Sequence, residues 1–472
     1  MTPYPNFKQE LDFIYSLSNM PRKEYMQDPR QCGWYLKRLQ EFLNICGNPE
    51  KSVPHYIHVT GTSGKGSVTS YLHSILLASG KKVGSNYSPH PTNITERWRV
   101  ENKEMTESEF AKIASRLRPL LTEYYRYTKY DMLSFFELTE AIGLSFFAEK
   151  KVDWVVTEVA CGGRYDASNV IPWKDVAVIT NIGLDHVGVI GNNKKEIAYE
   201  KAGIIKPGVL TYTSETDTKI LRVIEKECEL NQAPLVKVGQ AKYEIQSVTD
   251  AGTIFVYDGA TWRLNAAGEH QVKNAILCIN VARAIKIEDK DIQTGLLAAS
   301  QPLRFEVVGK EPLLVLDGAH NPDKIASTVK AVERLKKAGK FDRLHLVLGF
   351  SADKALNPIL KSLASLKPAT VAATRNTQNV FRHVADPRQI AKVMAKYSPK
   401  TQVVVFLDPQ TAWEWSISQA GKKDLVLATG SIFLSGEIRG HIWQMAYFSV
   451  SWVCFNQYPH EIIGNRGVSG QS

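Results

Sequence analysis

The sequence predicts an α/β protein of two domains. The first is expected to hold a mainly parallel sheet with a small antiparallel appendage. The second is expected to be a smaller, Rossmann-like α/β unit. Three observations carry this. Short apolar, β-branched runs at 56–59, 82–87, 152–157 and 176–180 alternate with segments of helical periodicity, the pattern of buried parallel strands with helices between them. A glycine-rich loop joins the first of those strands to a long helix. Beyond residue 302 the alternation restarts, with strand-like runs at 313–316, 344–348, 370–374, 403–407 and 425–429.

Length and composition agree. A chain of 472 residues exceeds one ordinary core, and 44% hydrophobic residues is the composition of a soluble globular protein. The N-terminus has no apolar signal core, and no run approaches the roughly 20 apolar residues of a membrane span. A cytoplasmic location without membrane association is the expectation. The six cysteines (Cys32, Cys46, Cys161, Cys228, Cys278 and Cys454) are scattered without a CxxC pair, so they read as reduced thiols and not as a disulfide frame or zinc site. The net charge of +10 is dispersed and accompanied by no nucleic-acid signature. Anionic small molecules are therefore the expected partners, with no nucleic acid.

Taken in order, residues 1–50 look helical and amphipathic, broken by Pro21 and Pro29, with Tyr35, Leu36, Leu39, Phe42 and Leu43 in one stripe. The first strand runs into Gly61-Thr62-Ser63-Gly64-Lys65-Gly66-Ser67, and Val68, Tyr71, Leu72, Ile75 and Leu76 then recur at helical spacing until Gly80. Strand, glycine-rich loop and helix together hold phosphate: loop and helix N–H groups converge on the anion and Lys65 adds charge. Ser67 stands where a hydroxyl meets a phosphate or its magnesium. The loop departs from the strict P-loop, because Gly66 separates Lys65 from Ser67. A tight turn with an exposed lysine is the plain alternative.

The second strand ends in Ser88-Pro89-His90, where Pro89 stops the ladder. Residues 91–103 read as a loop or edge strand. Thr106 and Glu109 fit a capping box, and a second apolar helix opens after Leu133-Ser134. The third strand delivers Glu158 at its tip, and Asp185-His186 follows the fourth. Ligands of parallel sheets bind outside the carboxyl ends of the strands, which gathers Lys65, Ser88, Glu158 and His186 at one edge. A short helix at 196–202 carries Lys201 and ends at Pro207-Gly208. Residues 235–265 look like the antiparallel appendage. Gln271 and Asn274 then open the last helix of this domain, over 275–285. The expected division is 1–300, 301–440 and a tail at 441–472, aromatic and apolar without clear period and without assigned role.

These motifs resemble the folylpolyglutamate synthase and dihydrofolate synthase branch of the Mur ligase superfamily. The resemblance covers roughly residues 30–440. It rests on the loop at 61–67, Ser88-Pro89-His90 with Glu96-Arg97, Phe135-Phe136-Glu137, Glu158, and the stretch from Gly162-Gly163-Arg164 through Tyr165-Asp166-Ala167 to Asn169. It continues through Gly183-Leu184-Asp185-His186, Glu200-Lys201-Ala202-Gly203, Arg304-Phe305-Glu306, Asp317-Gly318-Ala319-His320-Asn321-Pro322 and Thr429-Gly430-Ser431.

The resemblance implies a P-loop-type ATP-binding domain and an ATP-dependent carboxylate–amine ligase. In such enzymes ATP phosphorylates a folate or dihydropteroate carboxylate, and L-glutamate attacks the acyl phosphate. It implies Gly64, Lys65, Gly66 and Ser67 on the phosphates. Asn274, Arg304 and Asp317 are implied elsewhere on ATP, the last two reaching over from the second domain, with His320 close to them. It places Ser88, Glu158 and His186 on Mg2+, a carbamylated Lys201 near that metal, and Phe135, Phe136, Glu137, Tyr165, Asp166 and Ala167 on the pteridine end of the acceptor. A monomer is the expected state.

Read without the resemblance, the same residues also suit plain structural work: Glu158 as a helix cap, His186 as a loop histidine, Lys201 on a polar helix face, Arg304 paired with Glu306, Phe135 and Phe136 in the core. Ala160-Cys161 and Pro91 depart from the family's usual Gly-Leu and aliphatic residue, and both border the substrate site. The alternatives are a polyglutamylating enzyme only, a Mur-type ligase with another acceptor, or a non-catalytic nucleotide-binding relative.

Overall fold

A computed structural model describes residues 6–17, 33–249, 252–300, 302–378 and 383–455, the side chains of 444–455 excepted. The expectations placed on Pro21, Pro29, Cys32 and residues 456–472 fall outside these. The chain divides into two compact units, Met1–Pro302 and Leu303–Ser472.

In the first unit, α1 (Phe7–Ser16) and α2 (Gly33–Ile45) precede the sheet. Then come β1 (His55–Thr60), α3 (Lys65–Ala78), β2 (Val83–Asn86), β3 (Trp98–Val100), β4 (Lys103–Glu104), α4 (Glu107–Tyr127), α5 (Phe135–Lys150) and β5 (Trp154–Glu158). The unit continues with β6 (Val176–Ile179), α6 (Lys194–Ala202), β7 (Leu210–Thr213), α7 (Thr218–Leu230) and β8 (Leu235–Lys237). It closes with β9 (Tyr243–Thr249), β10 (Gly252–Tyr257), β11 (Ala260–Leu264), α8 (Glu269–Ala284) and α9 (Asp289–Ala298).

Among the described residues the main sheet has the order β4-β3-β2-β5-β1-β6-β7-β8. Its strands are parallel from β2 to β8, and β3 and β4 add an antiparallel edge. β9, β10 and β11 form a separate antiparallel sheet. β1 and β5 are buried along almost their whole length, because helices cover both faces and such strands can be apolar throughout.

Capping boxes start α4 at Thr106 with Glu109 and α5 at Ser134 with Glu137. β8 joins the main sheet, not the appendage, which therefore begins at β9. Sequence periodicity passed over β7 and α9. It also passed over α7, although Ile220, Leu221, Ile224 and Cys228 line its buried face at the spacing that marks an amphipathic helix.

The second unit has β12 (Glu306–Lys310), β13 (Leu313–Leu316), α10 (Pro322–Lys337), β14 (Leu344–Leu348), α11 (Leu356–Ala364) and β15 (Thr370–Ala373). It continues with α12 (Pro387–Tyr397), β16 (Gln402–Val405), α13 (Pro409–Ser418), β17 (Leu425–Thr429) and α14 (Ile432–Phe455). Its sheet order is β12-β13-β17-β14-β15-β16, parallel except for β12. α14 runs across residue 441 without a break, so the first part of the expected tail continues the last helix of this unit. No described helix is long and apolar enough to cross a membrane.

One ion-pair network anchors α2 to α5. Arg38 is buried, and its guanidinium donates to both Glu137 oxygens at 2.7 and 2.6 Å and to Asp131 at 2.6 Å. Removing one partner of a buried pair leaves the other charge desolvated, at about 3–5 kcal/mol. Arg38→Ala is therefore expected to lower the unfolding free energy by about that amount. Urea denaturation against the native chain checks it.

Candidate active site

The carboxyl ends of β1, β2, β5 and β6 share one edge of the main sheet. Val59 on β1 pairs with Glu158 on β5 and with Val178 on β6, while Asn86 on β2 pairs with Thr157. This register sets the glycine loop after Thr60 beside Glu158, Ser88 and the segment that follows β6.

Gly64 caps the N-terminus of α3 with a φ of 86°, a region that favours glycine. A Cβ there would stand 2.5 Å from Asn274 Oδ1, so only glycine lets α8 bring Asn274 against the loop. Hydrogen bonds stitch the loop to the strand beyond. Thr62 N–H donates to Asn181 O at 2.8 Å, and Ser63 N–H donates to Asn181 Oδ1 at 3.0 Å. Thr62 Oγ1 accepts from Gly183 N–H at 2.9 Å. Gly66 and Ser67 are buried in the first turn of α3.

Two lysine amino groups meet on one carbonyl. Lys65 Nζ lies 3.1 Å and Lys201 Nζ 2.8 Å from Gly61 O. Lys201 is only 2% exposed. Burial, then the neighbouring Lys65 charge, lowers its pKa to about 7. Such a lysine is substantially a free amine near neutral pH. α6 presents it inward, so it is not a surface residue.

Ser88 N–H donates to Glu158 Oε2 at 3.3 Å, which brings two of the three expected metal ligands together. His186 sits beyond β6 with a φ of 50°, its Nε2 3.8 Å from Asp185 Oδ2. No three His, Cys, Asp or Glu side chains converge as a metal cage among the described residues. A hydroxyl and one carboxylate suit magnesium, which keeps waters and phosphate oxygens as its other ligands.

The expected acceptor residues divide. Phe135 and Glu137 are 5% and 3% exposed. Glu137 accepts from Arg38 and from Ser134 N–H at the cap of α5. Phe135 stacks on Tyr15 at 5.5 Å. Phe136 is 50% exposed and is the open member of the triplet. Tyr165 and Ala167 are half-buried. Asp166 is buried and N-caps the turn at Ala167–Val170.

Sequence reasoning assigned no role to Arg97, Glu140 or Asn86, yet they form a buried polar cluster at this edge. Arg97 Nη2 donates to Ser88 Oγ at 3.4 Å, and its charge faces Glu140, Asp166 and Glu158. Asn86 donates to Glu140 at 2.7 Å. Burial and the nearby Asp166 push Glu140 up to about 8. A glutamate inside the apolar run of α5 was the available signal.

In the second unit, Asp317 follows β13 and is a buried hub. It accepts from Phe305 N–H at 3.0 Å, Ala319 N–H at 3.0 Å and Thr328 Oγ1 at 2.8 Å. Arg304 is exposed and lies against Gly318. His320 Nδ1 donates to Gly318 O at 2.8 Å, and Lys324 Nζ is 3.3 Å from its Nε2. Burial and then Lys324 hold the His320 pKa well below its ordinary value, which leaves Nε2 a neutral acceptor. Arg304, Asp317 and His320 are thus brought together.

The Mur ligase middle domain family matches residues 59–282, and the Mur ligase glutamate ligase domain family matches 303–432. A dihydrofolate synthase/folylpolyglutamate synthase of Bacillus subtilis is 31% identical over 419 residues, 86% of this chain and 94% of its own. The chain belongs to the folylpolyglutamate synthase/dihydrofolate synthase family of Mur ligases. It is similar to the folylpolyglutamate synthase of Mycobacterium tuberculosis complexed with ADP, 25% identical with a TM-score of 0.81 over 93% of this chain and 98% of that one. A bifunctional folylpolyglutamate synthase/dihydrofolate synthase of Yersinia pestis, complexed with AMPPNP and Mn ion, is 26% identical with a TM-score of 0.76 over 94% and 100%. As a member of this family the chain is an ATP-dependent ligase that forms C–N bonds, joining glutamate to a folate-type carboxylate.

Proposed function

We propose that this chain carries both family activities: it makes dihydrofolate from dihydropteroate and L-glutamate, and it extends the glutamate tail of reduced folates. The observation that supports the phosphoryl chemistry is the convergence of Lys65, Lys201 and Gly61 at the sheet edge that also holds Ser88 and Glu158, and the bifunctional Bacillus subtilis relative supports both acceptors. The ATP γ-phosphoryl group passes to the acceptor carboxylate. The glutamate amine then attacks the acyl phosphate, and the amide forms as phosphate leaves.

Gly64, Lys65, Gly66 and Ser67 hold the phosphates through N–H groups and one cation, so developing charge meets dipoles already in place. Asn274 closes the loop from α8. Ser88, Glu158 and His186 would hold magnesium, which neutralises phosphoryl charge when bound. Carbamylation of Lys201 would turn a buried cation into an anion facing that charge. Phe136, Tyr165, Asp166 and Ala167 receive the pteridine end, with Phe135 packed behind them. Arg304, Asp317 and His320 are further residues assigned to the nucleotide. Cytoplasmic location and a monomeric state complete the proposal.

The test is ADP release with ATP, magnesium and L-glutamate, with dihydropteroate and tetrahydrofolate as separate acceptors. Turnover with both is expected. Turnover with tetrahydrofolate alone would restrict the enzyme to polyglutamylation, and turnover with neither would sink the acceptor assignment.

A further inference from the structure

Beneath the acceptor loop lies a buried polar chain that the proposed reaction does not use. Lys174 is 6% exposed, although it lies in a loop just before β6. Its Nζ has three acceptors: His58 Nδ1 at 2.8 Å, Asn169 Oδ1 at 3.0 Å and Ile204 O at 3.0 Å. His58, in the middle of β1 and 0% exposed, places Nε2 2.9 Å from Ser168 Oγ. Ser168 Oγ donates to Asp166 Oδ1.

The direction of every proton in this chain follows from its far end. Asp166 Oδ1 also accepts from Ser168 N–H at 3.1 Å, and Oδ2 accepts from Cys161 N–H at 2.9 Å. Both oxygens are therefore acceptors, as in a carboxylate. The Ser168 hydroxyl proton must lie toward Asp166, so Ser168 Oγ must accept from His58 Nε2–H. Burial, then Lys174, keeps His58 neutral. A neutral imidazole that donates from Nε2 has only Nδ1 left to accept. Lys174 then supplies the proton to Nδ1, and its three acceptors match the three hydrogens of an ammonium. Burial and the charge of Lys206 pull the Lys174 pKa down. The three acceptors oppose this: a deprotonated Nζ would have two hydrogens for three acceptors, and were its lone pair to take His58 Nδ1–H, the chain would reverse and turn a lone pair of Ser168 onto the carboxylate.

We propose that Lys174, His58 and Ser168 are positioning residues for the acceptor site: a relayed ion pair that fixes the Asp166 carboxylate and the loop from Cys161 to Asn169 on the central strand. The functional half rests on the reading of Asp166 as an acceptor contact. A buried charge is costly, and replacing one by apolar groups is often neutral for stability. Its placement under a binding loop gives it a task other than stability. Lys206 beside Lys174, and Arg97, Glu140 and Lys201 around Asp166, are charged or titratable groups that face the chain.

Two readouts test this. 15N NMR of histidine-labelled full-length protein, with His58 assigned from a His58→Gln variant, is expected to show the Nε2–H tautomer; an Nδ1–H tautomer would overturn the relay. In kinetics, Lys174→Met and Ser168→Ala are each expected to raise the acceptor KM about ten-fold, the scale of a hydrogen bond to a charged group. The KM for ATP and kcat should stay within about two-fold, a split that a general loss of folding would not produce. The double variant should be no worse than the single ones, because both cut the same chain. Additive effects, or an unchanged acceptor KM, would overturn the proposal. If Lys174→Met does not fold, the tautomer of the native chain and the Ser168→Ala kinetics decide. An acceptor KM untouched by Asp166→Asn, with the Nε2–H tautomer present, would overturn the acceptor reading and the functional half with it.

Discussion

Lys65→Ala is expected to lower turnover about 100- to 1,000-fold, the usual cost of removing one preorganised group from a charged transition state. Lys65 is the first residue of α3 and is half-buried beside Gly61 O. It is the cation of the loop best placed to follow phosphate charge as the γ-phosphoryl group moves. Alanine suits a helix, and no buried partner loses its only contact, so the fold should survive. Single-turnover ADP formation, with a thermal melt as control, checks both points. Full activity would remove the phosphate-loop assignment.

Lys201→Ala is expected to cost turnover on a similar scale, about 100-fold or more, for a different reason. With a pKa of about 7, the free amine is available to add CO2 and become a carbamate. A short carboxylate added to the Lys201→Ala variant should then restore part of the activity. No loss at all would leave Lys201 a structural residue.

The same lysine predicts a pH effect on stability. Its folded pKa of about 7 lies below the ordinary 10.5, so between these values the unfolded chain binds more protons. Stability from this group is lowest below pH 7 and rises with pH through that window. Lys201→Met should flatten the rise between pH 7 and 9, as read by urea denaturation. An equally steep rise in the variant would place its origin elsewhere.

Much of the site was legible as local pattern. Lys65 sits in a strand–loop–helix signature, Glu158 ends an apolar run, and Ser88 stands where Pro89 stops a strand. The ion pair of Glu137 was not legible, since only the resemblance singled that residue out. Its partner, Arg38, lies 99 residues away, and no local pattern announces that pairing. α7, by contrast, carries a helical period in Ile220, Leu221, Ile224 and Cys228 that is legible in the sequence. β7 was missed because a four-residue strand with alternate threonines carries too little apolar signal.

The sequence by itself determined the two-domain α/β alternation, the phosphate loop and the sheet edge at which chemistry had to lie. These follow from periodicity and from backbone rules that act over a few residues. Only the tertiary structure decided which side chains share an environment. Lys201 meets Gly61 across 140 residues, Asn274 fills the space that Gly64 leaves, and Lys174 reaches Asp166 through His58. Such pairings depend on strand register and on burial, and burial sets whether a lysine is an exposed cation, a neutral amine or the end of a hydrogen-bonded chain.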